Sequence, residues 1–212
     1  MLRSIVWRII RGLGVSPFVL RCHPRSGLAN LGWYESFRTQ AAIDRNDQPL
    51  PWYTYSAIHF LEERLNPDLR VFEFGSGNST LWYSKRVKQV IAVESDPDWQ
   101  THIASQLTDN NSVSLREIGH GYIHEPKLYE PFDVVVIDGF ERTECAPVAV
   151  KCLAEGGVII WDDSDWEEHQ SGYDYLTSQG YAELKFFGMA PITFLSSQTS
   201  IFYRSGHNVL GI

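Results

Sequence analysis

The chain is short of cysteine. Its 212 residues hold three, Cys22, Cys145 and Cys152. They form no C-x-x-C pair and no metal-ligand spacing, and an odd number of thiols builds no disulfide framework. Cys145 and Cys152 stand seven apart in a helical stretch, so both are expected to face the core. A reducing cytoplasm fits this usage best. Positive charge is also scarce: 18 Lys and Arg against 26 Asp and Glu leave a net charge of −8. A phosphate-binding surface needs clustered cations, so this balance argues against a nucleic-acid partner. There is no internal repeat and no low-complexity tract.

Acidic residues are missing from the start of the chain. Arg3, Arg8, Arg11, Arg21 and Arg25 all precede the first acid, Glu35. The chain from residue 26 onward therefore carries −13, the whole less those five arginines. The opening Met-Leu-Arg-Ser-Ile-Val-Trp-Arg-Ile-Ile-Arg is basic and apolar together. Arg8 and Arg11 break its apolar region and no clean cleavage site follows, so it is not a secretory signal. It is too short and too charged to span a membrane. Two readings stay open: a helix packed on its own domain with its arginines in solvent, or a helix making a weak contact with a membrane surface or a protein. The first places the protein in the cytoplasm, and the second at a membrane periphery.

With 43% apolar and 21% charged residues the chain is of ordinary globular composition, and its length suits one α/β domain. Residues 1–49 read as a separate leader with a short helix near 34–43. From Leu50 the pattern becomes regular. Apolar residues at 57, 58, 61 and 65 give helical spacing, stopped by Asn66-Pro67. Strands are expected near 70–74, 89–94, 112–118, 132–138 and 157–161. Helices are expected near 79–87, 97–107, 142–154 and 165–178. Such alternation implies a doubly wound parallel sheet covered on both faces. Val134-Val135-Val136-Ile137 is apolar on both sides, as a central parallel strand should be. The runs 181–187 and 199–203 have no helix between them, which predicts a terminal antiparallel pair.

The most informative stretch is Arg-Val-Phe-Glu-Phe-Gly-Ser-Gly-Asn-Ser-Thr, residues 70–80. A strand passing through a glycine turn into a helix lets backbone approach a ligand closely. The next strand ends in Glu94, where nucleotide-binding α/β folds hold ribose hydroxyls. Thr80 stands where a dinucleotide fingerprint needs its third glycine. Glu73 lies before the turn, suited to a cationic amino group and repulsive to a pyrophosphate.

This acid-x-Gly-x-Gly pattern, followed one strand later by Glu94, resembles the class I S-adenosylmethionine-dependent methyltransferases. The resemblance covers about residues 50–205. It implies a seven-stranded Rossmann-like sheet, and a binding domain over 50–212 preceded by a helical extension over 1–49. Carried over, Glu73, Gly75 and Gly77 contact the methionine part of the cofactor, and Ser76, Asn78, Ser79 and Asp138 are also expected to bind the cofactor. Glu94 binds its ribose.

The remaining strand ends carry Gly119-His120-Gly121, Asp138-Gly139 and Asp162-Asp163. Three converging aspartates repel one another unless a cation lies among them. A hard divalent ion such as Mg2+ would serve. Asp-Gly ending one strand and Asp-Asp ending the next resembles metal-dependent O-methyltransferases acting on catechols and sugars, which implies Asp138, Asp162 and Asp163 as ligands. Against this, many methyltransferases keep the first acid without a metal, and Asp163 suits a helix cap. Without the ion, Asp138 or His120 is the candidate general base, or positioning alone suffices. Arg142 either faces an acidic acceptor or makes a surface ion pair. Trp52, Tyr53, Tyr55 and Trp166 either wall an acceptor pocket or belong to the core, and Trp161 is expected to pack at its strand end.

These features point to transfer of a methyl group to an oxygen of a small molecule. The alternatives are a nicotinamide-dependent oxidoreductase, for which Tyr181-x-x-x-Lys185 is the one further cue, and a non-catalytic protein keeping the fold. That tetrad falls in a strand-like run, where four residues span about 13 Å, too far for a paired tyrosine and lysine.

Overall fold

The computed structural model describes Gly12 and residues 26–212. The basic opening segment and Cys22 lie outside the described residues. In chain order the elements are α1 (Gly27–Asn30), α2 (Trp33–Thr39), α3 (Tyr55–Glu62), β1 (Arg70–Phe74), α4 (Asn78–Ser84), β2 (Gln89–Glu94), α5 (Pro97–Ala104) and β3 (Ser112–Leu115). There follow α6 (His120–His124), β4 (Phe132–Ile137), α7 (Arg142–Cys152), β5 (Leu153–Trp161), α8 (Gln170–Ser178), β6 (Ala182–Met189) and β7 (Ser196–Tyr203). One seven-stranded sheet results, in the order β3-β2-β1-β4-β5-β7-β6. Pairings from β3 to β5 are parallel, and β7 runs antiparallel between β5 and β6.

The central strands divide their side chains by the two-residue strand period. Phe72, Phe74, Val135, Ile137 and Ile159 enter one core with Cys145, Ala149 and Cys152 of α7 and Leu176 of α8. Val71, Val134, Val136 and Ile160 enter the other with Ala57, Ile58 and Leu61 of α3 and Trp82 of α4. Both cysteines are fully buried, as their spacing predicts.

Three departures from expectation have physical reasons. Strand β5 starts at Leu153, inside the stretch expected to be helical, and its pairing with β4 shifts register between Phe132 and Val134. Gly156, at φ +73, supplies the backbone freedom for that irregularity. Strand β3 stops at Leu115, and the loop after it folds into α6. Residues 26–49 are tied to the domain: Trp33 Nε1 donates to the Thr193 carbonyl at 2.7 Å, and Asn78 Nδ2 donates to the Ala42 carbonyl at 2.7 Å. Among the described residues no helix is long and apolar enough to cross a membrane.

Candidate active site

Parallel strands β1, β2, β4 and β5 end on one edge, so Glu73, Glu94, Asp138 and Asp162 gather there. The turn after β1 is held from both sides. Gly75 sits at φ +90 and donates its N–H to the Val93 carbonyl at 2.9 Å. A Cβ at Gly75 would stand 3.2 Å from the Asp138 carbonyl oxygen and the Gly139 Cα. Thr80, fully buried, accepts from the Gly77 N–H at 3.0 Å and donates through Oγ1 to Glu73 Oε2. The residue replacing a third glycine is thus the strut that ties the loop to the acid.

Glu73 is 1% exposed, and its Oε1 has no partner among the described residues. Burial pushes its carboxyl up to about 8. Glu94 is satisfied on both oxygens. Oε1 accepts from Ser95 and Asp96 N–H at 2.7 and 3.0 Å, and Oε2 from Ser76 N–H and Oγ at 3.1 and 3.0 Å. Between the two acids lies a cavity of about 140 Å³, lined also by Ser79, Tyr122 and Asp138. It adjoins a larger one of about 940 Å³ through Ser76, Ser79 and Asp138. The larger cavity reaches Ala42, Trp52, Trp99, Arg142, Asp163, Trp166 and Ile192.

The same architecture occurs in solved structures. The O-methyltransferase from Bacillus cereus, with S-adenosylhomocysteine bound, superposes at TM-score 0.62 with 16% identity, over 91% of this chain and 97% of that one. The O-methyltransferase TomG of Streptomyces achromogenes, with S-adenosylmethionine, gives 0.59 and 16%, over 91% and 96%. The precorrin-6y C5,15-methyltransferase of Geobacter metallireducens gives 0.60 and 16%, over 80% and 96%. The chain has the class I S-adenosylmethionine-dependent methyltransferase fold. No protein-family model matches the chain, and no curated protein is significantly similar to it.

In this methyltransferase fold the end of β4 faces the larger cavity. Asp138 lies there partly exposed. Its carboxyl is pushed up to about 7, by burial first and by Asp163, with Arg142 pulling the other way. Asp162, 4% exposed, is likewise raised by burial, and its Oδ1 accepts from Thr199 Oγ1 at 2.6 Å. Asp163 accepts from Ser197 Oγ at 3.1 Å. Arg142 lies among them, its Nη2 3.4 Å from Asp138 Oδ1 and its Nη1 3.5 Å from Asp163 Oδ2. Its side chain is only 13% exposed, so the expected ion pair forms at the wall of the larger cavity and not on the open surface.

The sequence-predicted groups divide accordingly. Glu73, Gly75, Ser76, Ser79, Glu94 and Asp138 line the smaller cavity, and Gly77 and Asn78 the larger. The metal expectation does not fit the residues present. Among the described residues no three His, Cys, Asp or Glu side chains come together to hold an ion, and a guanidinium fills the place between the aspartates. His120 stands outside both cavities, exposed and stacked on His124 at 4.2 Å. A general base needs hydrogen-bond reach. The short helix α6 turns Tyr122, not His120, inward. Trp52 and Trp166 line the larger cavity, whereas Tyr53, Tyr55 and Trp161 are core. Tyr181 and Lys185 line neither, and Lys185 pairs with Glu183 at 3.3 Å.

Residues not anticipated at the site are Gln40 to Ala42, Tyr122, Trp99 and the 192–197 segment. Trp99 carried a usable signal, because it follows Glu94 by one cap and one turn: Asp96 caps its N–H at 2.8 Å, and its Nε1 donates to the Ser76 carbonyl at 2.7 Å. Positive φ at non-glycine positions also marks the cavity wall. Gln40, Asp163 and Ile192 have φ of 56°, 52° and 70°. Such strain persists where surrounding structure imposes it, and it collects at functional sites.

Proposed function

We propose that the protein transfers a methyl group from S-adenosylmethionine to a hydroxyl oxygen of a small molecule. The observation carrying this reading is the pair of buried acids, Glu73 and Glu94, on adjacent strand ends across one small cavity. The orphaned Oε1 of Glu73 suits the ammonium of the methionine part. Of the four donors on Glu94, the Ser76 hydroxyl alone can rotate away, which frees a lone pair for a ribose hydroxyl. The exposed Trp99 indole beside it offers a face to a purine. When bound, S-adenosylmethionine supplies an electrophilic methyl on a sulfonium sulfur.

Asp138 stands where the two cavities meet. A carboxyl raised by burial is a stronger base than an ordinary aspartate, and it accepts a proton from an acceptor hydroxyl as the oxygen–carbon bond forms. The larger cavity holds the acceptor in line and limits water, a contribution on the order of several kcal/mol. Transfer to oxygen rests on that carboxylate.

Calorimetric titration with S-adenosylhomocysteine tests the donor half. Micromolar binding is expected, and its absence at millimolar ligand would remove the reading. Asp138→Asn is then expected to keep that affinity and to lower labelled-methyl transfer onto phenols and sugars about 100-fold or more. Equal transfer by both proteins would end the role of Asp138 as base.

The two glycines of the loop separate fold from function. Gly77 is extended at φ 176°, and a Cβ there meets only Ser79 Oγ, at 3.9 Å. Gly77→Ala is expected to change stability by less than about 1 kcal/mol. Gly77 lines the larger cavity next to the smaller one, so a methyl pressing on the bound ligand should lower affinity for S-adenosylhomocysteine about tenfold. Unchanged affinity in calorimetry would show that the ligand does not press on this loop.

A further inference from the structure

We infer that Arg142 takes the place of a divalent cation at the acceptor end of the site, a fixed guanidinium standing where a metal ion would otherwise balance Asp138, Asp162 and Asp163. The inference rests on the proposed reading, in which the acceptor binds beside Asp138.

Arg142 opens α7, and its side chain folds back over the ends of β4 and β5. Nε donates to the Gly139 carbonyl at 3.0 Å. Nη1 donates to the Asp162 carbonyl and lies 3.5 Å from Asp163 Oδ2. Nη2 lies 3.5 Å from the Asp138 carbonyl and 3.4 Å from Asp138 Oδ1. All three guanidinium nitrogens reach protein oxygens: Nε and Nη1 through hydrogen bonds to backbone carbonyls, Nη2 through long contacts to Asp138, with the Asp163 carboxylate an ion pair beside Nη1. Trp166 covers the group, with its ring 5.8 Å from Cζ. The cation is therefore part of the protein, held by the ends of β4 and β5 at the wall of the larger cavity.

Two of the carboxylates are also engaged in part by β7. A divalent cation asks for about six oxygen ligands around one point. Asp162 spends Oδ1 on Thr199 and Asp163 spends Oδ1 on Ser197, both in β7. The αL backbone of Asp163, at φ 52°, holds it in that posture. Arg142 meets the same electrostatic need through geometry that ion coordination does not share.

A consequence follows for the acceptor. A metal binds two neighbouring acceptor oxygens at once, which favours vicinal diols. A guanidinium has no coordination positions to offer a chelating pair of oxygens. The site therefore requires a single hydroxyl within reach of Asp138 and sets no demand for a second beside it.

The test is Mn2+ binding to the full chain, read by paramagnetic resonance. Wild-type protein is expected to bind none below about millimolar Mn2+, the weak range of exposed carboxylates. Arg142→Ala removes a positive charge about 4 Å from two carboxylates, which should raise Mn2+ affinity at least tenfold. Adding Asp163→Asn should abolish that gain, and Arg142→Lys should not show it. Tight Mn2+ binding by the wild type, lost in Asp163→Asn, would overturn the inference. So would a folded Arg142→Ala, with normal circular dichroism, that gains no Mn2+. If Arg142→Ala does not fold, the wild-type titration decides alone. The readout needs no methyl donor, so failure to bind S-adenosylhomocysteine would remove the transferase reading and leave the result on the cation standing.

Discussion

Gly139→Ala is expected to destabilise the protein by about 3 kcal/mol or more, at the upper end of what an added methyl costs in a packed interior. Gly139 follows β4 at the point where the turn after β1 crosses it. A Cβ there would stand 2.0 Å from Tyr122 Oη, 2.7 Å from the Gly75 nitrogen and 2.9 Å from the Phe74 carbonyl carbon. Two of these are backbone atoms of the central strand and its loop. They cannot yield, because Gly75 N–H is bonded to Val93 and the Asp138 N–H to the Phe74 carbonyl. Tyr122 Oη makes at most a poor contact with the Phe140 backbone, so Tyr122→Phe alone should cost no more than about 1 kcal/mol. The double variant should recover only part of the loss, since the backbone collisions remain. Gly121→Ala, on α6 with its nearest neighbour Arg116 Cδ at 3.7 Å, is the control and should be neutral. Urea midpoints with unchanged slopes measure all four. Full recovery in the double variant would mean that only the Tyr122 contact matters and that the β1–β4 crossing is loose.

That crossing explains what could be read from the sequence and what could not. The bounds of β1 and β2 match the expected 70–74 and 89–94, because two-sided apolar runs end there in glycine and acid. Parallel pairing then brings Glu73, Glu94 and Asp138 to one edge without further information. Long-range fits were not legible. Asp138, Asp162 and Asp163 reach the same edge, but they form no ion-holding group, because Arg142 folds back from α7 among them. His120 read as a loop residue near the site because Gly119 and Gly121 flank it. Helix α6 is only five residues long and carries too little periodicity to detect. Residues 26–49 read as a leader apart from the domain, since what ties them to it is long-range: hydrogen bonds of Trp33, Ala42 and Gln48 and the packing of Trp33 and Phe37. No composition shift signals such a bond.

Affinity for S-adenosylhomocysteine should rise with pH up to about 8 and then level off, and Glu73→Gln should flatten that dependence. In the free protein burial raises the Glu73 carboxyl to about 8, against the downward pull of Ser79 and Thr80 and with a smaller push from Asp138 and Glu94. At pH 7 it is mostly protonated. An ammonium ligand prefers the carboxylate, so binding at pH 7 displaces close to one proton, and affinity climbs up to about tenfold per pH unit below 8. The stability of the free protein runs the opposite way. A carboxyl raised above its unfolded value stabilises the fold fully below about pH 4.5 and loses that contribution as pH rises through about 8. The loss is on the order of a few kcal/mol. Glu73→Gln keeps an uncharged partner for Thr80, so it should melt higher than the wild type at pH 9 while binding the ligand about 100-fold more weakly, as the loss of a buried ionic contact costs. Calorimetry at pH 7 in buffers of different ionisation enthalpy counts the proton directly. A binding enthalpy independent of buffer, with wild-type affinity in Glu73→Gln, would place the ligand's cationic group elsewhere and leave the orphaned oxygen of Glu73 without a role in binding.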